Sequence, residues 1–173
     1  MNESTSLLRA WESFYVIVGS SGGALIGLQF VVITLIADSR RGTHAGALSA
    51  FGTPTVIHLA GALVVSAIMS APWPSIGLLA ATLGTCGVLG VAYGATVLVR
   101  ARRQTGYRPV WQDWIWYVTL PCLVYAALAV AAFCLRTHTE IGLAGVAAVA
   151  LALLLVGIHN AWDTVTHLVV SDG

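Results

Sequence analysis

The chain has 173 residues, of which 58% are hydrophobic and 9% are charged, whereas a soluble globular domain carries roughly 25% charged residues. Together with a mean hydropathy of +0.87, this composition excludes an ordinary soluble enzyme and predicts an all-α polytopic membrane protein with one transmembrane domain, residues 1–173. The formal net charge of +1 offers no basic surface for phosphates, so the lipid bilayer is an expected partner and nucleic acid is not.

Five stretches reach or approach the roughly 20 apolar residues that cross a bilayer as a helix. In chain order they cover about residues 13–37, 50–71, 75–99, 113–135 and 141–169. Pro72 and Pro74 end the second stretch, and Pro121 predicts a kink in the fourth. A four-helix alternative omits the second stretch and puts the two Arg-rich loops on opposite sides of the membrane. Five helices keep these loops together and are preferred.

The arginines of the connecting loops predict the orientation of the chain. If the N-terminus is outside, six arginines lie in cytoplasmic segments: Arg40, Arg41, Arg100, Arg102, Arg103 and Arg108. Only Arg9 and Arg136 then lie outside. The C-terminus is therefore expected in the cytoplasm. The use of Arg without Lys, with abundant Ala, Val, Leu and Gly, favours a GC-rich bacterial gene and hence the bacterial inner membrane.

Tryptophan and tyrosine near the predicted helix ends are interpreted as anchors at the level of the lipid headgroups. This group includes Trp11 and Tyr15 at the outer end of the first helix and Trp73 in the next outer turn. At the inner start of the fourth helix it comprises Trp111, Trp114, Trp116 and Tyr117.

Glycines recur at helical spacing in the first, third and fifth stretches. Those singled out for helix packing are Gly19, Gly23 and Gly27 in the first stretch and Gly87, Gly90 and Gly94 in the third. Small residues let another backbone approach closely, so these stripes predict close helix contacts. The contacting helix can belong to the same chain or to a second copy of it.

The first predicted helix has three distinct faces on a helical wheel. One is the glycine stripe, another carries Gly22 and Gln29, and the third is a lipid-like stripe of Ile17, Leu28, Val32 and Leu35. Because two of the three faces are unsuited to lipid, the first helix is predicted at the centre of the bundle or of a homo-oligomer.

The polar side chains within the spanning segments are concentrated in the half nearer the cytoplasm. They are Gln29, His58, His159, Asn160, Asp163 and His167. Polar groups inside a membrane are costly and indicate function by default, so these six residues form a predicted ion pathway. The outer half carries mainly Ser20, Ser21, Ser66 and Ser70.

His159, Asp163 and His167 are spaced four residues apart and share one helical face. Three interpretations stay open: a structural hydrogen-bond network, a water-filled ion or proton path, and metal or haem binding, for which His58 could pair with His159. Three ligands on one straight helix do not easily converge on one ion, and no Cys/His ligand spacing is present. No metal site and no cofactor are therefore expected.

The favoured function is a homo-oligomeric ion channel or pore with a polar pathway on the cytoplasmic side. Two alternatives are a haem- or metal-binding membrane redox protein and a non-conducting accessory subunit of a larger membrane complex. Enzymatic activity is not expected, because the loops are too short to fold an active site.

Overall fold

A computed structural model describes residues 3–39, 53–103 and 111–170, and these ranges contain helices and short turns but no strand. The helices are α1 (Glu3–Ala10), α2 (Glu12–Ser39), α3 (Thr53–Ser70), α4 (Ile76–Arg103), α5 (Trp111–Trp114), α6 (Leu120–Thr137) and α7 (Thr139–Val170). A π-helical turn, Ile115–Thr119, joins α5 to α6.

Five helical segments are long and apolar enough to cross a membrane. They are Glu12–Leu35, Thr53–Ser70, Ile76–Val99, Ile115–Thr137 and Thr139–Thr166. The prediction of a helical protein with five helices able to span a membrane is therefore confirmed for the described residues, and the four-helix alternative, which lacked α3, is wrong. Residues 50–52 of the predicted second helix, as well as Arg40, Arg41 and Arg108, lie outside the described residues.

The spanning helices pack in the order α2–α3–α7–α6–α4, so that α7 lies between α3 and α6. The sequence predicted the first helix either at the centre of the chain's own bundle or at the centre of a homo-oligomer. The first of these two predictions is wrong. In the spanning window of α7 50% of residues are buried, against 22% in that of α2. Helix α7 is central because Leu143, Val146 and Leu153 are buried within one continuous apolar core.

Helix α2 packs on α3 through the face that carries Gly19 and Gly22. A Cβ atom at Gly19 would lie 3.0 Å from Ser66 Cβ, and one at Gly22 would lie 3.2 Å from the Leu59 carbonyl oxygen. On the other side of α2, Leu28 and other members of the predicted lipid-like stripe are exposed. Most of the stripe therefore faces away from the bundle, as expected for a lipid-facing surface, whereas Val32 is half-buried and, with Leu28, lines a groove between α2, α3 and α7.

Glycines also set the close approach of α4 to α6. A Cβ at Gly87 would lie 2.8 Å from the backbone nitrogen of Ala129, and one at Gly84 would lie 3.8 Å from Ala132 Cβ. A Cβ at Gly94 would overlap the Cys122 sulfur. As residue numbers rise along α4 they fall along α6, so the two helices are antiparallel.

The contacts between α3 and α7 fix their register in the same way. A Cβ at Gly61 would lie 3.3 Å from Leu153 Cδ1, and one at Gly157 would lie 2.5 Å from Leu59 Cδ2. The two helices therefore run antiparallel with Leu59 level with Gly157.

Two of the predicted headgroup anchors are core residues instead. Tyr15 is 1% exposed, and Tyr117 is also buried. The anchor interpretation is therefore wrong for these two tyrosines, because each ring points into the helical bundle. Trp111, at the start of α5, is largely exposed as an anchor would be.

Candidate functional site

His58 lies in the core of the bundle, on the side of α3 that faces α6. Its side chain is 1% exposed. The Nδ1 atom lies 3.5 Å from the Tyr125 hydroxyl oxygen, and the two ring centroids are 5.9 Å apart. The Nε2 atom is buried and has no hydrogen-bond partner among the described residues. One ring nitrogen thus faces a tyrosine through a long contact, while the other has an unused hydrogen-bonding capacity.

Tyr125 fills space that glycines leave open on two neighbouring helices. A Cβ atom at Gly61 of α3 would lie 2.8 Å from the Tyr125 hydroxyl, and one at Gly90 of α4 would overlap its ring. Tyr93 and Cys86 of α4 are ionisable neighbours of this tyrosine. Sequence reasoning missed Tyr125, and the available signal was a single hydroxyl in the middle of an apolar helix.

The π-helical turn before α6 brings two aromatic residues against α7. Pro121 has no N–H group and its ring would clash with a carbonyl one turn earlier, so a regular α-helix is disfavoured here. The Leu120 N–H instead donates to the carbonyl of Ile115, five residues back. Trp116, within this turn, stacks on His159 with ring centroids 3.6 Å apart.

Tyr117 connects the same turn to the polar segment of α7. Its hydroxyl donates to the Asp163 Oδ2 atom at 3.1 Å and to the Asn160 carbonyl oxygen at 3.4 Å. The Thr164 hydroxyl also donates to this carbonyl, at 2.8 Å. The two Tyr117 contacts hold the turn to α7 at the end of the bundle where α6 begins, while the Thr164 bond lies within α7.

Asn160 is fully buried, and its side-chain amide lacks partners. Its exposed fraction is 0%. Neither Nδ2 nor Oδ1 makes a hydrogen bond within the described structure. An amide offers two donor hydrogens and an acceptor oxygen, so this side chain retains several unused hydrogen-bonding positions in the core.

Gln29 lines a groove of about 240 Å³ between α2, α3 and α7. Its side chain is only 6% exposed. The remaining lining is apolar and includes Leu59, Ile158 and Trp162. The groove brings Gln29 to the same part of the bundle as Leu59, the immediate neighbour of His58.

The structure divides the six predicted pathway residues into two groups. His58, Asn160 and Gln29 are buried in the bundle. His159 is stacked on Trp116, and Asp163 is exposed apart from its bond with Tyr117. The backbone of His167 belongs to α7, but its side chain is outside the described residues.

Two further buried hydroxyls lie toward the other end of the bundle, and sequence reasoning did not place them in the pathway. Ser66 Oγ and Tyr15 Oη are buried without a hydrogen-bond partner within the described ranges. Gly19 faces Ser66, and Tyr15 lies one turn before Gly19 on α2. The polar groups of the core therefore extend beyond the half in which the sequence concentrates them.

The predicted packing glycines have different surroundings. Gly19, Gly87, Gly90 and Gly94 lie against a neighbouring helix of the same chain, whereas a Cβ at Gly23 or Gly27 would meet no atom of the described structure within 4 Å. A close contact of Gly23 and Gly27 with another helix remains a prediction about a second copy.

Among residues 3–39, 53–103 and 111–170, no group of three or more His, Cys, Asp or Glu side chains lies close enough together to hold a metal ion. His58 and His159, the pair considered for haem, contact Tyr125 and Trp116 respectively. Comparison of the chain with protein-family models, with curated proteins and with solved structures found no match.

Proposed function

We propose that this protein translocates ions across a membrane, along a pathway inside the helical bundle of each chain. The proposal depends on one observation: the core contains polar atoms that are buried and unpartnered. They are His58 Nε2, Ser66 Oγ, Tyr15 Oη and both amide atoms of Asn160. Burying such groups without a hydrogen bond costs free energy that an apolar side chain would avoid. Ion transport explains why such groups are present despite this cost, because they can bind water or an ion.

The outer surface of the bundle is mostly apolar. This favours a pathway inside each chain and not a pore formed between several copies. Large apolar side chains are exposed on the spanning helices, among them Ile17, Val88 and Phe133. The hydroxyls of Thr34 and Thr85, which are also exposed, donate to carbonyls of their own helices. A polar lining for a shared axis is therefore less well supported than the buried groups of the core.

Assembly of several copies is a separate element of this proposal. The face of α2 that carries Gly23 and Gly27 is open in the described structure, and small residues on a spanning helix favour close association with another helix. We place the homo-oligomer contact on this face, with one pathway in each protomer.

The orientation and location of the protein complete the proposal. We propose that the N-terminus is outside and the C-terminus in the cytoplasm of a bacterium, in its inner membrane, as the arginine distribution favours. In a variant without native cysteines, Gln112→Cys should react with an impermeant thiol reagent only from the cytoplasmic side, and His138→Cys only from outside. The reverse pattern would invert the topology.

Ion flux through purified protein in lipid vesicles tests the proposed function. The Asn160→Leu variant keeps a similar side-chain volume but removes both unpartnered amide atoms, so flux should fall strongly while the melting temperature stays equal or rises. The control is Thr85→Val, which changes an exposed hydroxyl bonded to its own helix and should leave flux unchanged.

Absence of flux for every ion tested, over a wide range of pH and voltage, would contradict ion translocation. Normal flux in a folded Asn160→Leu protein would instead contradict the internal route. A coloured or metal-loaded preparation would favour the redox alternative, and a foreign subunit purified at constant stoichiometry would favour an accessory role.

A further inference from the structure

We infer that the transported ion is the proton and that His58 relays it between Asn160 and the outer hydroxyls of Ser66 and Tyr15. This inference rests on the proposed function, because it names the ion that uses the same internal pathway. It depends on the charge, packing and position of the buried polar groups.

The buried polar side chains of the described core include no charged residue. They are Gln29, Thr55, His58, Ser66, Asn160 and Thr164. A metal cation leaving water is stabilised by carboxylates or by rings of carbonyl oxygens. Imidazole and hydroxyl groups suit the proton instead, because each can accept one proton and release another, and an amide can hold a water within such a chain. The chemistry of the core therefore favours proton transfer over passage of a metal cation.

Close packing around His58 also favours proton transfer. A Cβ at Gly61 would lie 2.8 Å from the Tyr125 hydroxyl, and one at Gly157 would lie 2.5 Å from Leu59 Cδ2. Helices α3 and α7 thus pack closely at this level, and the side chain of Tyr125 from α6 reaches Gly61 of α3. A hydrated ion needs a wide opening here, whereas a proton needs only a chain of hydrogen-bonding groups.

The two nitrogens of the His58 ring allow a balanced transfer step. A proton that binds Nε2 of the neutral ring forms an imidazolium, and release of the Nδ1 proton leaves a neutral ring with its hydrogen on Nε2. Rotation of the ring or return of a proton to Nδ1 then resets the relay for the next transfer. The Tyr125 hydroxyl oxygen, 3.5 Å from Nδ1, can accept the proton that Nδ1 releases while its own hydroxyl proton passes to a water. Tyr93 and Cys86, the other ionisable groups near Tyr125, are neutral in their protonated forms.

The register of the helices gives the relay its inner and outer neighbours. Leu59 is level with Gly157, and Asn160 follows three residues later, which is about 4.5 Å along the helix axis. His58 and Asn160 are therefore within one helical turn of each other along the bundle.

Ser66 lies on α3 two turns from His58, at a distance of about 12 Å along the axis, and Gly19 brings α2 against it. Tyr15 then extends the series by one more turn of α2. Buried polar atoms of this kind commonly bind internal water, and a few waters would join these groups into one hydrogen-bonded chain.

Proton flux into vesicles with a trapped pH-sensitive dye tests the inference, with a potassium gradient and valinomycin setting the voltage. The native protein should carry protons, and His58→Asn should reduce this flux about a hundredfold, the usual scale for loss of a positioned proton-transfer group. The matched control is His138→Asn, the same substitution at an exposed turn residue, which should leave the flux unchanged.

Two milder variants keep the test decisive if His58→Asn does not fold. Tyr125→Phe keeps the ring between its glycines, and Ser66→Ala keeps the Cβ atom that faces Gly19; each should lower proton flux several-fold without lowering the melting temperature. Normal proton flux in both variants, or in a folded His58→Asn protein, would overturn the relay.

Parallel measurements of sodium, potassium and chloride flux separate this inference from the proposed function. Flux of one of these ions without proton flux would overturn the proton assignment and leave ion translocation standing. No flux of any ion would overturn both.

Discussion

Buried polar residues of the core differ in whether their hydrogen bonds are made. The Tyr117 hydroxyl and the Thr164 hydroxyl both donate to α7. In contrast, polar atoms of His58, Ser66 and Asn160 remain unpartnered. A paired hydroxyl contributes to stability, whereas an unpartnered one reduces it unless water or an ion completes its bonding. The first group should therefore respond to substitution by unfolding more easily, and the second by losing flux.

The Tyr117→Phe variant tests the structural group. It removes two hydrogen bonds to α7 and should lower the free energy of unfolding by about 1 kcal/mol, measured by denaturant titration in detergent micelles. Trp111→Phe, which changes a largely exposed ring at the start of α5, is the control and should have little effect. Equal stability of Tyr117→Phe and the native protein would show that these bonds contribute nothing.

At the level of single residues, the sequence identified the polar side chains that are costly in a membrane, including His58, Asn160 and Gln29. It did not identify Tyr125 as the neighbour of His58, nor Tyr117 as the donor to the Asp163 carboxylate and the Asn160 carbonyl. A tyrosine near a helix end can point to the headgroups or into the bundle, and the choice depends on which helix lies beside it. That neighbour is a property of the folded chain, which the hydropathy of one segment does not contain.

Among the structural elements, the π-helical turn has the clearest cause and consequence. Pro121 disfavours the regular hydrogen bond, and the longer bond from Leu120 to Ile115 accommodates one extra residue per turn. Because an added residue rotates the preceding side chains by about 100°, the turn determines that Trp116 faces His159.

Pro121→Ala should therefore weaken the stacking of Trp116 on His159. Alanine restores a backbone donor and removes the ring, so the turn can revert to α-helix and rotate Trp116 away. In NMR spectra of protein with labelled histidine, the His159 ring protons should lose the upfield shift caused by the indole. Val118→Ala, within the same turn but without a change in backbone bonding, should keep that shift. An unchanged His159 signal in Pro121→Ala would show that the turn does not depend on proline.

The second prediction at the level of the helices concerns the glycines that allow close packing. Gly90→Ala places a methyl group in the Tyr125 ring and should destabilise the protein by about 1–3 kcal/mol through overpacking. Gly23→Ala, in open surroundings on α2, should leave the free energy of unfolding of the single chain unchanged. Similar stability of the two variants would contradict the packing of α4 on α6.

The helices themselves were predictable because bilayer thickness fixes the length of an apolar segment, and prolines and arginines mark its ends. Their order was not predictable in the same way. A spanning helix has apolar residues toward both lipid and protein, so the pattern that indicates a buried face in a soluble protein is weak here. The prediction that α2 lies at the centre of the chain's own bundle failed for this reason: its Gly23 and Gly27 face no helix of the described chain.

For the whole molecule, the packing order leaves α2 and α4 at the two edges of the bundle. An edge helix has one side available to lipid or to another protein. The open glycine face of α2 is the surface we assign to the contact between copies.

Gly23→Leu should therefore reduce the number of copies per particle, measured by mass spectrometry or light scattering of the purified protein, while the single chain stays folded. Ala24→Leu introduces the same side chain at the adjacent exposed position, about 100° away around the helix, and should leave the particle size unchanged. The same size for all three proteins would remove α2 from the contact.

The position of α7 also has a consequence for the synthesis of the protein. Helices emerge from the ribosome in chain order, so α2 can pair with α3, and α4 with α6, before α7 exists. His58 then belongs to one pair and Tyr125 to the other, and the helix that packs between α3 and α6 follows both pairs along the chain. A chain interrupted before α7 thus consists of two incompletely joined halves with polar groups exposed to lipid, which cellular quality control can recognise and degrade.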